Sequence, residues 1–219
     1  KVTDLMGYNF DIEHINFGLV LVDGKKMSTR GGKFKRLEEV IDQAILLAKD
    51  AIMSKNPNLK NQDEVAKAVA IGAIIYNDLK NDKHLDVDFD LENMLKFEGQ
   101  TGPYLQYSGV RIESILRGYD IDISQIDKNV YEQDHYFEII KSLAQFPNVI
   151  YRAKELSTPS VISKYVMSLA QASNSFYGKE RLIVEEQGVL NANLLFARCI
   201  QIVINESLRL LGIKSLKEM

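Results

Sequence analysis

The stretch Lys25-Lys26-Met27-Ser28-Thr29-Arg30-Gly31-Gly32 combines cations, hydroxyls and paired glycines. From Gly24 to Arg36 there are six Lys/Arg and no acid. Glycines let the backbone fold close to a ligand. Lys and Arg supply positive charge, and hydroxyls supply donors. A loop of this kind can hold a polyphosphate as charge builds in a transition state. Spacing alone also fits a solvated basic loop.

A second group has a different chemistry. Tyr104, Tyr107 and Arg111 lie three and four residues apart in TGPYLQYSGVR, which puts them on one helical face. Two rings and a guanidinium suit unstacked RNA bases: rings stack, hydroxyls bond, and the guanidinium stacks or binds phosphate. The same tyrosines also fit a core position with the hydroxyl reaching water. The end of the segment PSVISKYVMSLAQASNSFY is polar and aromatic and carries Tyr177, with Arg181 shortly after. Its stripe of Val161, Ile162, Tyr165, Val166, Leu169 and Phe176 reads as core.

These residues need elements to carry them. FGLVLV, residues 17–22, is a short apolar run closed by Asp23-Gly24, and it reads as a buried strand and turn that presents the basic loop. Leu37, Val40, Ile41, Ala44, Ile45, Ala48, Ala51 and Ile52 recur at helical spacing up to Asn56-Pro57. A second helix is predicted over 62–79. Residues 81–88 read as a polar connection, and Asp90 as the cap of a short helix. Thr101-Gly102-Pro103 opens a helix, because proline at its first position gives up no needed N–H. Further helices are predicted from about Tyr131 to Gln145, from Pro147, from Thr158-Pro159 to before Gly178, and from about Asn191 to Leu211. Almost everything after residue 37 is therefore helical.

Composition narrows the classes. Just under half of the 219 residues are apolar (46%), enough for a packed core. The net charge is −3, so any polyanion must be met by local patches. No apolar run approaches the roughly 18–20 residues of a membrane span. The single cysteine, Cys199, lies in an apolar helical pattern and reads as a small buried residue. His14, His84 and His135 have no metal spacing, and no metal site is expected. The start, KVTDLMGYNF, shows no signal-like run and reads as a cut from a longer protein.

The wording of the motifs adds a family. KMS after a strand and a Gly-Lys pair resembles the second signature loop of class I aminoacyl-tRNA synthetases, and KMSTR resembles the bacterial arginyl enzymes. Lys26, Met27 and Ser28 match that motif directly. Thr29 stands where the pattern has its second lysine, and Arg30 where it has the final serine. That departure leaves Arg30 and Lys33 as the cations available to replace the lost lysine. FEGQTGPYLQY, residues 97–107, resembles the segment that opens the anticodon-binding domain of arginyl-tRNA synthetases. The helix ending at Tyr177 resembles that domain's matching helix, where a tyrosine meets the anticodon loop. A terminal methionine packs near the same loop in relatives, which carries over to Met219.

The resemblance implies a mainly α fold, a helix-bundle anticodon-binding domain of the DALR type. The C-terminal edge of a Rossmann-like α/β catalytic domain, a strand plus KMSKS-type loop, precedes it. The expected division is residues 1–36, a helical connecting region over 37–98 that contacts the tRNA stem, and 99–219. It implies Lys26 as catalytic and Lys26, Met27, Ser28, Thr29 and Arg30 as the ATP-binding loop. Tyr104, Tyr107, Arg111, Tyr177, Arg181 and Met219 are implied as tRNA-binding. Arginine tRNA is the expected partner, with ATP, Mg2+ and arginine as substrates of a full-length cytoplasmic, monomeric enzyme. The other class I signature, of the His-Ile-Gly-His type, is absent here, so this chain alone is expected to be inactive and to bind no cofactor. Two other readings stay open: a stand-alone RNA-binding paralogue that has lost catalysis, and a purely structural helical protein.

Overall fold

In the computed structural model, which describes residues 2–22, 24–26 and 36–219, two helices establish the first core. They are α2 (Leu37–Lys55) and α3 (Gln62–Leu79), and they pack as an antiparallel pair. Ala44, Ala48 and Ile52 of α2 meet Val65, Ala66, Val69, Ala70 and Ala73 of α3. Small residues at these positions let the helix axes approach closely. The short helix α4 (Leu91–Met94) closes this core with Met94 and Leu95. Asp90 caps it, its carboxylate accepting from the Asn93 N–H (3.1 Å).

A turn helix, α1 (Val2–Leu5), and two strands precede the pair, and a third strand after it completes a small sheet. β1 (Val20–Val22) runs antiparallel to β2 (Lys25–Lys26) and parallel to β3 (Val87–Asp88). Leu21 faces Lys26 in the register. Residues 81–88, a polar connection by sequence pattern, do more than connect. Their end is a strand because β1 supplies the ladder partner, which no local pattern announces. The reading of 17–22 as buried is corrected: Phe17 is 83% and Val20 41% exposed. Three residues flanked by two-residue strands are left with faces that the described residues do not cover.

The second and larger core is built by five helices. They are α5 (Gly102–Leu116), α6 (Asp134–Ala144), α7 (Phe146–Glu155), α8 (Ser160–Lys179) and α9 (Gln187–Leu210). Leu105, Ile112, Val166, Leu169, Leu194, Ile200, Ile204 and Leu208 are its centre. α9 begins four residues before the predicted Asn191, because the Glu186 carboxylate accepts from the N–H groups of Gly188 and Val189. By length and composition alone α9 is apolar enough to cross a membrane. Several of its polar residues, Asn191, Asn193, Gln201 and Ser207, are buried within the bundle. Asn193 accepts from the Tyr136 hydroxyl (2.7 Å) and donates to the Leu182 carbonyl (2.8 Å). Cys199 is exposed, not buried as its apolar neighbours suggested. Phe196, Ala197, Ile200 and Ile204 hold the buried stripe, and Cys199 falls off its phase.

The helix start at Thr158-Pro159 also differs. Thr158 does not cap α8 with its side chain, and its hydroxyl turns back to donate to the Leu156 carbonyl (2.7 Å). α3 belongs to both cores. Val65 to Ala73 face the first, while Tyr76 belongs to the second, its hydroxyl donating to the Ser163 carbonyl (3.5 Å).

Candidate nucleic-acid interface

α5 starts where α3 leaves room for it. A Cβ at Gly102 would fall well inside contact distance of the Gly72 carbonyl, so only glycine permits this crossing. Thr101 caps the helix: its hydroxyl accepts from the Tyr104 N–H (3.2 Å) and donates to the Lys96 carbonyl (2.6 Å). Gln106 is buried and donates to the carbonyls of Ala68 (3.2 Å) and Lys214 (2.8 Å). Its Oε1 has no partner. Much of the TGPYLQY string therefore positions the helix. Thr101, Gly102, Pro103, Leu105 and Gln106 are all buried.

What remains open is one face of α5 beside the end of α8. Tyr104 is half-buried, and its hydroxyl accepts from Asn174 Nδ2 of α8 (2.9 Å). The same Nδ2 donates to Ser108 Oγ (2.8 Å), and Ser108 Oγ donates to the Tyr104 carbonyl (2.8 Å). Tyr177 lies one turn beyond Asn174, its ring edge-on to Phe176 with centroids 5.7 Å apart. The Tyr177 hydroxyl is buried and has no hydrogen-bond partner. Burial pushes that hydroxyl far up, and the Arg111 guanidinium beside it opposes the shift. Tyr104, Ser108 and Arg111 from α5 thus meet Asn174 and Tyr177 from α8. Tyr107 flanks this group and is 47% exposed.

The other predicted residues sit elsewhere. Arg181 is exposed beyond the end of α8. Met219 packs against the α2–α3 core, and its carbonyl accepts from Asn56 Nδ2 (3.2 Å). Lys26 is exposed at the end of β2, whereas Met27, Ser28, Thr29, Arg30 and Lys33 lie outside the described residues. Asn174 and Ser108 were not singled out in the sequence. The available signal was an asparagine between two serines in the body of a long helix, a residue that costs helix stability unless its amide is used.

Residues 105–219 match the family model of the DALR anticodon binding domain. The chain belongs to that family. Residues 1–91 match the model of the tRNA synthetases class I (R), catalytic domain. Among similar proteins, arginine--tRNA ligase 1 of Bacillus thuringiensis subsp. konkukian (strain 97-27) is 47% identical over 216 residues, 98% of this chain and 38% of the relative. Arginine--tRNA ligase of Lactobacillus johnsonii (strain CNCM I-12250 / La1 / NCC 533) is 43% identical over 221 residues, all of this chain and 39% of the relative. The solved Thermus thermophilus arginyl-tRNA synthetase superposes with a TM-score of 0.82 at 28% identity, over 93% of this chain and 35% of that one. The chain thus spans well under half the length of these arginyl-tRNA synthetases. The bundle of α5 to α9 is the DALR domain of the match, with the aromatic group on its surface.

Proposed function

We propose that this DALR domain binds the anticodon stem-loop of an arginine tRNA. Tyr104, Tyr107 and Tyr177 stack on or bond to loop bases, and Arg111 stacks or takes a phosphate. One observation carries the reading most: the Tyr177 hydroxyl is enclosed without a partner, beside Arg111. A buried hydroxyl left unbonded is costly, and a base edge would supply what it lacks once the side chains covering it shift. Arg181 and Met219 enter the proposal as peripheral contacts. The division we propose is a catalytic edge over 1–36, a stem-contacting region over 37–98 and the anticodon-binding bundle over 99–219.

Within a longer arginine--tRNA ligase, the loop from Lys26 through Met27, Ser28, Thr29 and Arg30 would face ATP with its Mg2+. Lys26 would offset the charge that grows on the phosphates as arginine is activated for transfer to tRNA. The reading places that enzyme in the cytoplasm as a monomer. The 219-residue chain is expected to give no arginine-dependent ATP–pyrophosphate exchange, and clear turnover would refute this. In the longer enzyme, Lys26→Ala should lower kcat by more than it raises KM for ATP.

The binding test uses arginine tRNA and the same tRNA with a changed anticodon. Aromatic stacking on a base is worth roughly 1–3 kcal/mol, so Tyr104→Ala or Tyr107→Ala should weaken binding about 5- to 150-fold. Circular dichroism must first show unchanged helicity. If both variants fold and bind like the parent, the anticodon site lies elsewhere.

A further inference from the structure

A cleft of about 500 Å³ lies apart from the aromatic group, where the loop after α3 meets the turn between α7 and α8. Lys83 and His84 line it from the loop, Arg152 from α7, and Thr158, Ser160 and Lys164 from the start of α8. Lys83 Nζ donates to the carbonyls of Leu156 (2.8 Å) and Ser157 (3.1 Å), which ties the two walls together. Glu13 accepts from the Ser157 hydroxyl (3.4 Å), and the Gly18 N–H donates to the Lys83 carbonyl (2.7 Å). The cleft therefore sits between the segment leading to Lys26 and the bundle.

Its charge is net positive. Among the described residues, the side chains of Arg152, Lys164 and His84 have no hydrogen-bond or ion-pair partner. This occurs in a chain whose 30 acids outnumber its 27 Lys/Arg. Asp82 is the acidic residue of the lining; one of its oxygens accepts from the His84 N–H (3.0 Å), and its single negative charge stands against Lys83, Arg152 and Lys164. Ser160, 3% exposed, is among the lining residues, and its hydroxyl has no hydrogen-bond partner among the described residues. A guanidinium, an ammonium and a hydroxyl-bearing residue lining one open space match a phosphodiester group.

We propose that this cleft holds a backbone phosphate of the RNA whose loop lies on Tyr104 and Tyr177. The inference rests on the RNA-binding reading above. α8 carries both sites, Ser160 and Lys164 near its start and Asn174 and Tyr177 near its end. At about 1.5 Å per residue, Ser160 and Tyr177 stand roughly 25 Å apart on one rigid rod. The aromatic end would read bases, and the cleft would fix the register of the stem without reading sequence.

The test measures binding of arginine tRNA to the 219-residue chain against salt concentration. It compares the parent with the double variant Arg152→Gln, Lys164→Gln, which keeps side-chain length, and with Ser160→Ala. Loss of the one phosphate contact should reduce the log–log salt slope by about 0.7–0.9. Ser160→Ala should weaken binding with the slope unchanged. A hairpin holding only the anticodon loop on a minimal stem should bind parent and double variant alike. An unchanged tRNA slope overturns the cleft site, and so does an equal slope change for the hairpin. If Tyr104→Ala still weakens binding in those cases, the anticodon reading stands without the cleft. Should the parent bind no tRNA at all, both fall.

Discussion

A tyrosine hydroxyl shut away without a partner has lost the bond it made to water, and the folded chain carries that loss until something replaces it. At Tyr177 this gives two effects of opposite sign. Tyr177→Phe should raise the unfolding free energy of the free chain by about 1 kcal/mol. The same change should weaken arginine tRNA binding about 5- to 10-fold, the worth of one hydrogen bond formed in the complex. Urea titration and a binding isotherm check the two halves. A less stable phenylalanine variant would mean that the hydroxyl is bonded in the free chain. Tyr131 and Tyr136 differ, because both donate, to the Ala192 carbonyl (2.8 Å) and to Asn193 Oδ1. Burial pushes each up to about 12 from an ordinary value of 10.0. Below pH 10 both remain protonated whether folded or unfolded, so they leave stability unchanged. Between about 10 and 12 the unfolded chain releases protons that the folded chain keeps, so stability must fall as pH rises. The urea midpoint should decline through that window, and Tyr136→Phe should make the decline shallower.

α5 shows how a string of letters divides between building and reading. Thr101-Gly102-Pro103 was legible as a helix start from local rules. The reason for Gly102 was not, because it lies in α3, thirty positions back, where Gly72 leaves no space for a Cβ. Gly102→Ala should cost about 1–3 kcal/mol through overpacking. Thr101→Ala should cost about 1 kcal/mol through the lost cap, with Thr101→Ser restoring most of it. Equal stability of Gly102→Ala and parent in urea would mean the crossing is looser than described. Helical periodicity also revealed α2 and α3, whose small-residue stripes have no competing pattern. It failed where the signal was carried by a distant partner. β3 exists because β1 lies beside it, and α9 starts early because Glu186, an uncommon capping residue, reaches two N–H groups. Within the site, the tyrosines were visible as types at a spacing. Asn174 was not, because its role depends on which groove of α5 its amide enters.

At the scale of the molecule, the two cores share a wall. α3 gives Val65, Val69 and Ala73 to one and Tyr76 to the other. Neither core can lose α3 without uncovering the other, so the chain should unfold in one transition. Ile52→Ala, placed in the first core, should lower stability by about 2–5 kcal/mol. Near-ultraviolet dichroism of the tyrosines, which report largely on the second core, should shift its midpoint by the same amount as far-ultraviolet dichroism. Two separated transitions would show that the wall does not couple them. The shared helix also sets an order of events on the ribosome. Tyr76 reaches its partner Ser163 across 87 residues of chain. At about 5–20 residues per second, its outer face waits roughly 4–17 s for cover. Through that interval α2 and α3 can already be paired, with one side closed and the other greasy and bare. The newborn chain is then a sticky half-shell, and the helices made later land on a surface already in place.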